Sequence, residues 1–450
     1  ARKFASTTPS RSGSSIDHGS TGHAEGPHRA ALRGSIALKP GTESNPLRVA
    51  VIGAGPAGFY LADYLFKQKD LIAEVDMFDR LPTPFGLVRH GVAPDHQKIK
   101  NVTKVFDKAA AHPRFRFYGN VECGRHMSPA DFRDHYHQIV YTVGAQTDRS
   151  LSIPGEDLAG SHSATEFVAW YNGHPDYCHL TFDLSQPSIA IVGVGNVAVD
   201  VARILCRTAD ELATTDIADY ALEALRESNV EQVVMLGRRG PAQAAFSVPE
   251  LKELGKLPNA QVRAVGEEVA PDPLTKAWLQ THEDRPARQK VELLNQYAAA
   301  DPADTRRTLT IRFLVSPTEL IGDETGRVKA IKITHNELCQ AEDGTLRPHP
   351  TDRVEQIDAG LVFRSVGYHG VPITSVPFDA TRGVIRNEKG RIIDPKTGKP
   401  CAGQYAAGWI KRGPTGLIGT NKADAIETVQ CMLEDLATGN TLNPSHPNRD

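Results

Sequence analysis

Two glycine-rich segments, each between a short β-branched run and an apolar stretch, constrain this 450-residue chain more than any other feature. The run 47–52 leads into residues 53–58, which read GAGPAG, and the run 188–192 leads into residues 193–198, which read GVGNVA. A strand, a turn of the form G-x-G-x-x-G or G-x-G-x-x-A, and a helix form the start of a dinucleotide-binding βαβ unit. The sequence therefore predicts an α/β fold with parallel strands and two nucleotide sites.

The first glycine-rich segment has the residues that a bound diphosphate requires. Its first glycine permits the tight turn, its second lets the backbone approach the diphosphate, and its third lets the helix pack against the strand. The next strand, 73–78, ends at an acid about 20 residues after the glycines, where a carboxylate binds the ribose hydroxyls. The alternative is a glycine-rich turn that binds nothing. The cofactor-binding candidates are Gly53, Gly55, Ala57, Gly58 and Asp79.

The second segment differs at the end of the strand that follows it. Residues 231–236 form this strand, and the next four residues, 237–240, read GRRG and contain no acid. An acid at this position repels a 2′-phosphate, whereas guanidinium groups bind it with forked, charge-assisted hydrogen bonds. The sequence therefore predicts NADP(H) here and an unphosphorylated ribose at the first site; the alternative for the arginines is a solvated basic turn. The candidates are Gly193, Gly195, Asn196, Val197, Arg238 and Arg239.

Two dinucleotide sites in one chain indicate a held FAD and an exchangeable nicotinamide, an arrangement that serves hydride transfer. The C-terminal region supports the flavin: a strand over 403–409 leads into the turn 413–416, which opens an apolar helix over about 418–436. A helix N-terminus directed at the flavin would stabilise its reduced, anionic form. Taken alone, the turn is also compatible with an ordinary Gly-Pro loop.

Composition and charge exclude several other classes of protein. The formal net charge of −3 gives no global basic field for nucleic acid. The six cysteines include no C-x-x-C pair, which argues against a zinc ribbon, a disulfide framework and a redox dithiol. No apolar run reaches the about 18 residues that a membrane span needs. We therefore expect no nucleic acid partner, no transmembrane span and no metal site, while peripheral association with a membrane stays open.

Residues 1–47 differ in composition from the rest of the chain. They contain eight serines, six basic residues and only three acids, and their apolar residues are sparse. Such a segment is predicted to be a disordered leader, because it buries too little surface to offset its ordering entropy. An Arg- and Ser-rich, acid-poor composition is typical of an organellar transit peptide, which predicts the mitochondrial matrix. The alternative is a plain disordered tail.

Together these motifs resemble the adrenodoxin reductase family, from about residue 48 to about residue 442. The segments that carry the resemblance are 84–96 (PFGLVRHGVAPDH), 193–200, 237–240 and 409–416 (WIKRGPTG). The resemblance implies two Rossmann-like three-layer domains, with the NADP domain inserted into the FAD domain. The implied division is a first FAD-binding segment over 48–147, the NADP-binding domain over 148–365, and a second FAD-binding segment over 366–450.

The resemblance also implies roles for single residues. His96 and Asp200 lie near the flavin in a hydrogen-bonded relay between the domains, and Glu250 lies beside the nicotinamide. Without the resemblance, His96 is compatible with an ordinary loop histidine and Asp200 with an acid at a helix start. Trp409 covers the stacking region of the flavin or nicotinamide, or else is a core tryptophan. Backbone contacts to the flavin are implied at Leu87, Gly416 and Ile418.

The implied activity is electron transfer from NADPH through FAD, one electron at a time, to a small acidic two-iron ferredoxin. Its docking residues are predicted among Lys252, Arg285, Arg288 and Lys290, whose alternative is a solvated helix face. Two rival functions remain open: an NADPH-dependent flavin monooxygenase, whose F-x-G-x-x-x-H linker is absent from the sequence, and a non-catalytic NADPH-binding subunit.

Overall fold

The computed structural model describes residues 39–446. Its strands, in chain order, are β1 (Leu47–Ile52), β2 (Ala73–Phe78), β3 (Phe115–Tyr118), β4 (Gln138–Tyr141), β5 (Thr147–Asp148), β6 (Ser161–Ser163), β7 (Ser188–Val192), β8 (Gln232–Leu236), β9 (Ala260–Ala264), β10 (Arg307–Arg312), β11 (Val315–Gly322), β12 (Val328–Gln340), β13 (Leu346–Asp358), β14 (Leu361–Arg364), β15 (Tyr368–His369), β16 (Phe378–Asp379), β17 (Val384–Ile385), β18 (Asn387–Glu388), β19 (Arg391–Ile393) and β20 (Pro400–Ala406).

A short 3₁₀ helix covers Pro241–Gln243. The α-helices are α1 (Pro56–Phe66), α2 (Leu87–His90), α3 (Gln97–Lys100), α4 (Thr103–Ala110), α5 (Pro129–His135), α6 (Ala164–Tyr171), α7 (Asn196–Cys206), α8 (Ala209–Leu212), α9 (Asp219–Arg226), α10 (Val248–Leu254), α11 (Gly266–Val269), α12 (Pro273–Thr281), α13 (Arg285–Ala299), α14 (Trp409–Arg412) and α15 (Thr420–Thr438).

The first sheet has seven strands in the order β18-β19-β20-β4-β1-β2-β3. Its five strands from β20 to β3 are parallel, whereas β18 and β19 pair antiparallel. Alternate side chains of β1 point to opposite faces: Val49 and Val51 pack in the cluster that contains residues of α1 and α15, and Ile52 packs against Phe132 of α5. Burial on both faces explains why β1 reads as a continuous apolar run.

The second sheet has six strands in the order β6-β14-β7-β8-β10-β9, all parallel. On one face, Ile189 and Ile191 of β7 pack with residues of α6 and α7. On the other face, Val192 packs with Leu320 and Ile331, which belong to a separate antiparallel sheet in the order β11-β12-β13. The third layer on this side is therefore a β-sheet rather than helices.

Two connections join the regions of the chain that build the two parallel sheets. The first follows β4 and contains β5, and the second follows β14 and contains β15. β5 and β15 pair antiparallel, with Tyr368 opposite Asp148. The inserted arrangement of the two Rossmann-like sheets, which the family resemblance implies, is present in the structure.

Most predicted elements agree with the structure, and two predictions differ at their ends. The helix expected over 418–436 runs from Thr420 to Thr438, and it ends where Gly439 adopts a φ of 78°. The leader predicted over 1–47 overlaps residues that pack on the fold, because the Ile72 N–H donates to Gly41 O at 2.9 Å. The rest of that prediction, over 1–38, lies outside the described residues. Within 39–446, no helix has the length and hydrophobicity needed to cross a membrane.

Candidate active site between two glycine-rich loops

The first glycine-rich loop is shaped by close backbone approaches. Gly53 has a φ of 107°, and a Cβ on it would lie 2.7 Å from the carbonyl carbon of Thr142. A Cβ on Gly58 would lie 2.7 Å from the Gly53 oxygen, so only glycine lets α1 pack this closely. In contrast, a Cβ on Gly55 would meet nothing within 4 Å. Among the described residues, no side chain caps α1. An open loop below an uncapped helix N-terminus fits a dinucleotide diphosphate.

Asp79 follows β2 and is directed back at this loop. Its Oδ2 accepts a hydrogen bond from the Ala54 N–H at 2.7 Å, and its Oδ1 accepts one from the Leu81 N–H at 2.9 Å. Burial raises the pKa of Asp79, although both backbone hydrogen bonds act in the opposite direction. A carboxylate has about four acceptor positions, so two remain for the hydroxyls of an unphosphorylated ribose. The residue therefore fits its predicted role.

The second glycine-rich loop repeats this design. Gly193 has a φ of 130°, and a Cβ on it would lie 2.2 Å from the Ser365 oxygen, whereas a Cβ on Gly195 would meet nothing within 4 Å. No side chain of the described residues caps α7. The Asn196 side chain, predicted to bind cofactor, accepts a hydrogen bond from the Ser247 N–H at 2.8 Å. Asn196 thus fixes the start of α10 against this loop, and Val197 follows it in the first turn of α7.

Arg238 and Arg239 follow β8 at the position that corresponds to Asp79 in the first sheet. Arg238 is exposed and Arg239 is half-buried. Arg239 donates from Nη2 to the Gln243 oxygen at 3.3 Å, which leaves its other donors available. Burial, and then the neighbouring Arg238, lower the pKa of Arg239. Two cations forced together at a strand end fit the 2′-phosphate of NADP(H).

The segment 84–96 packs over the first glycine-rich loop. The Phe85 N–H donates to the Ala54 oxygen at 2.8 Å. Gly86 has a φ of 49°, and a Cβ on it would lie 3.0 Å from the Cα of Gly55. Leu87 then begins α2 directly beside the loop. This contact places Leu87 where a ligand of the first loop would meet its backbone.

His96 lies at the end of that segment and meets three carboxylates. Its Nε2 is 2.8 Å from Glu253 Oε2 and 3.8 Å from Glu250 Oε2, and its Nδ1 is 3.8 Å from Asp200 Oδ1. The side chain of Glu253 is 50% exposed, whereas those of the other three residues are 11–14% exposed. Burial raises the pKa of Asp200, and burial together with the Asp200 charge raises that of Glu250. The three predicted catalytic residues therefore meet in one cluster.

A fully buried arginine, Arg203 on α7, holds the cluster together. It donates from Nε to Asp95 Oδ2 at 2.6 Å and from Nη2 to Asp200 Oδ1 at 2.6 Å. Its Nη1 lies 3.3 Å from Glu250 Oε2. Burial alone would lower the pKa of Arg203, but the bond to Asp95 and the nearby carboxylates raise it above its ordinary value. Arg203 thus joins the segment 84–96, which contains Asp95, to helix α7, which follows the second glycine-rich loop.

Sequence reasoning missed Asp95, Arg203 and Glu253, although helical spacing gave a signal for two of them. Arg203 lies three residues after Asp200 on α7, and Glu253 lies three residues after Glu250 on α10. Residues three apart share a helix face. The side-chain nitrogen and oxygen atoms of His96, Glu250 and Glu253 also lie within 4.8 Å of one another, a spacing that a metal ion could occupy. The Arg203 guanidinium already supplies a cation beside Glu250.

The C-terminal turn carries the remaining flavin-side predictions. The Trp409 ring is half-buried, lies 5.3 Å from the Tyr368 ring, and donates from Nε1 to the Thr415 oxygen at 3.2 Å. Gly416 has a φ of 78°, and a Cβ there would lie 2.6 Å from Thr420 Oγ1. Ile418 packs against the apolar cluster of the first sheet. These three residues therefore lie within the stretch 409–418, which joins β20 to α15.

The basic residues predicted to dock a partner do not form one exposed group. Lys252, Arg285 and Arg288 are exposed, but Arg288 donates from Nη2 to the Leu279 oxygen at 2.6 Å. Lys290 is buried, its Nζ donates to the Ala244 oxygen at 2.6 Å, and burial lowers its pKa. The prediction is wrong for Lys290, because α13 turns this side chain inward against the 3₁₀ segment.

Comparisons with known proteins agree with this geometry. The family described as pyridine nucleotide-disulphide oxidoreductase matches residues 47–236. NADPH-ferredoxin reductase FprA of Mycobacterium tuberculosis is 46% identical over 400 residues, which cover 87% of this chain and 84% of that protein. The mitochondrial NADPH:adrenodoxin oxidoreductase of Arabidopsis thaliana is 42% identical over 406 residues, covering 88% and 83%.

A solved structure of M. tuberculosis FprA in complex with NADPH superposes with a TM-score of 0.83 at 45% identity. The match covers 88% of this chain and 85% of that one. The chain belongs to the adrenodoxin reductase family of FAD- and NADP(H)-dependent oxidoreductases.

Proposed function

We propose that this protein is an NADPH:ferredoxin oxidoreductase, which oxidises one NADPH and reduces two molecules of a small acidic two-iron ferredoxin, releasing one proton. The observation that carries the proposal is the His96 cluster. His96 belongs to a segment that rests on the first glycine-rich loop, and its partner Glu253 lies on α10. Just before that helix, the Phe246 N–H donates to the second loop at Val194 O, 3.0 Å. The cluster therefore lies where the ligands of the two loops would meet.

The residues of this chain bind the two dinucleotides and handle the proton. The uncapped starts of α1 and α7 hold the diphosphates, while Asp79 and the pair Arg238 and Arg239 select the riboses. A bound FAD would supply the chemistry that couples two-electron oxidation of NADPH to one-electron reduction of the acceptor. His96 Nε2 and the half-exposed Glu253 Oε2, 2.8 Å apart, form a route for the proton to solvent. Asp200 and Glu250, held by Arg203, keep the imidazole in place.

The activity is tested by NADPH-dependent reduction of cytochrome c with and without an added two-iron ferredoxin. The proposal expects a rate that depends on ferredoxin and saturates with it. Equal rates in its absence would contradict the ferredoxin assignment, and oxygen consumption coupled to hydroxylation would favour a monooxygenase. Failure of NADPH to bleach bound flavin would favour a non-catalytic subunit.

The partner is proposed to bind by charge, with Lys252, Arg285 and Arg288 as the exposed members of the predicted docking set. A reversal of Lys252 and Arg285 to glutamate is expected to raise the ferredoxin KM and leave ferricyanide reduction unchanged. Equal loss of both activities would contradict docking at these residues.

We also propose the domain division at 147/148 and 365/366, which follows the two connections between the sheets.

We propose the mitochondrial matrix as the location of the protein, with residues 1–47 as the targeting segment. The composition of that segment and the mitochondrial relative from A. thaliana support the proposal, whereas the M. tuberculosis relative is bacterial. Fusing residues 1–47 to a fluorescent protein tests it. Import into isolated mitochondria is the expected result, and a fusion left outside the organelle would contradict it.

A further inference from the structure

The helical segment 97–111 begins directly after His96 and has an unusual charge balance. It contains four lysines and one carboxylate, Asp107, in a chain whose net charge is −3. Lys100 is engaged with Asp216, its Nζ lying 2.8 Å from Oδ1. The other three lysines are exposed, and no ion pair among residues 39–446 includes them: Lys98, Lys104 and Lys108.

The same segment exposes apolar side chains between these lysines. Ile99 is 42% exposed and Val105 is 40% exposed, and they are two of only five large apolar side chains that the described residues expose to this degree. The half-buried Val102 lies between them in sequence. Single exposed apolar residues are ordinary, but an apolar centre with a charged rim is typical of a protein–protein interface. Lys104 and Lys108, one helical turn apart, share a face of α4.

A cavity of about 270 Å³ lies between the start of this helical segment and the active-site segment 84–96. Phe85 and Val88 of the segment that packs on the first glycine-rich loop form one side of its lining, and Gln97 and Asn101 form another. A partner seated on α3 and α4 would therefore lie beside the segment that carries His96. Weak electron-transfer complexes bury little area and rely on charge, which suits a small basic surface at this place.

We infer that Lys98, Ile99, Lys104, Val105 and Lys108, here named the α3–α4 patch, are a docking surface for the acidic two-iron ferredoxin. This inference rests on the proposed function. Charge complementarity favours an acidic protein, and two partly exposed side chains offer little area for insertion into a lipid surface. None of these five residues belongs to the docking set predicted around Lys252, in which Lys290 is buried.

The test is a triple charge reversal, Lys98→Glu with Lys104→Glu and Lys108→Glu, in the full chain. A matched control reverses three other exposed lysines, Lys329, Lys396 and Lys399, and changes the net charge equally. NADPH-dependent reduction of an adrenodoxin-type ferredoxin is measured at low and high salt, with ferricyanide as the small acceptor. The patch variant is expected to raise the ferredoxin KM about tenfold or more at low salt, with ferricyanide reduction unchanged. The control variant is expected to change that KM less than twofold.

The outcomes separate the docking surface from the function. If the wild-type protein reduces no ferredoxin, the proposed function fails before the patch is tested. If it does, an unchanged KM in the patch variant, or an equal rise in the control, overturns the patch.

The variants Lys104→Glu and Val105→Ser, measured singly, decide the matter if the triple variant does not fold. A raised KM in both supports the patch, and an unchanged KM in both overturns it. Binding to phosphatidylglycerol vesicles that the triple variant loses, with an unchanged ferredoxin KM, assigns the patch to a lipid surface and also overturns the proposal.

Discussion

The two glycine-rich loops begin alike and differ most in charge at the end of the following strand. In both, a glycine with positive φ approaches a neighbouring backbone, a second glycine faces open space, and the described residues provide no side-chain cap for the helix. After the first loop, Asp79 turns back to accept from the Ala54 N–H. After the second loop, the strand is followed by Arg238 and Arg239, and no acid lies at the position of Asp79. We therefore expect the loop to hold a diphosphate in both sites and the strand end to select the ribose.

A second contrast separates these two helices from α5, α6 and α8. α5, α6 and α8 begin with complete capping boxes, built on Ser128, Ser163 and Thr208. A capping side chain satisfies N–H groups that a helix end otherwise leaves free. Absence of such a side chain at α1 and α7 keeps those N–H groups available for phosphate. The N-cap residues of α1 and α7 are Gly55 and Gly195, so the missing cap follows from the glycine pattern itself.

The largest expected effect comes from removing the feature that distinguishes the second loop. Arg238→Ala with Arg239→Ala is expected to weaken NADPH binding by about 3–6 kcal/mol, at about 1.5–3 kcal/mol per charge-assisted hydrogen bond. NADH binding should change little, so the preference for NADPH narrows by at least about a hundredfold. Binding constants for both nucleotides check this. An unchanged NADPH/NADH ratio would refute the assignment of the arginines.

The next effect breaks the link between the two loops. Arg203→Met leaves Asp95, Asp200 and Glu250 without their buried cation, and loss of one partner of such a network costs about 3–5 kcal/mol. The free energy of unfolding in urea measures this. Arg207→Met is the matched control, because Arg207 also pairs with Asp95 but is partly exposed. A loss no larger than in the control would show that Arg203 does not hold the site together.

The first sheet should also be sensitive to acid. His137 is buried, its Nδ1 accepts from the Arg48 N–H at 3.0 Å, and burial lowers its pKa to about 4. Because the unfolded chain takes up this proton near pH 6.5 and the folded one near pH 4, stability present above pH 6.5 falls as the pH drops between these values. The loss is about 3 kcal/mol by pH 4. Urea unfolding of His137→Gln at pH 7.5 and 4 should show a smaller drop; an equal drop contradicts the account.

The smallest effect concerns the acid of the first loop. Asp79→Ala leaves the N–H groups of Ala54 and Leu81 without their acceptor, at about 1–3 kcal/mol for each unsatisfied donor, and loss of the buried carboxylate offsets part of this cost. Flavin retention after gel filtration is expected to fall, while the NADPH/NADH ratio stays the same. A shift in that ratio would mean that the two strand ends do not act separately.

Local elements were predictable from the sequence because they depend on local patterns. The strands at 47–52, 73–78 and 188–192 lie where the β-branched runs predict them. The turns could be placed because positive φ at Gly53 and Gly193 needs glycine. The family resemblance added His96, Asp200 and Glu250, which no local pattern identifies as a group.

The rest depends on contacts between residues far apart in the chain. Asp95 and Arg203 are separated by 108 positions, and His96 and Glu253 by 157, so their pairing appears only in the folded chain. Lys290 is a residue that the sequence predicted wrongly. Its charge suggests exposure to solvent, but packing of α13 directs its side chain inward to Ala244. Burial of a charged side chain is decided by tertiary packing rather than by composition.

The central claim is that the first loop holds a flavin dinucleotide which only the ligand of the second loop reduces. Anaerobic titration of the full-length flavoprotein, followed by its visible spectrum, tests it most directly. The account predicts that one equivalent of NADPH bleaches the flavin absorbance, and that the same concentration of NADH leaves it unchanged. Equal bleaching by both nucleotides would contradict selection by Arg238 and Arg239, and a flavin unaffected by NADPH would contradict hydride transfer between the two sites.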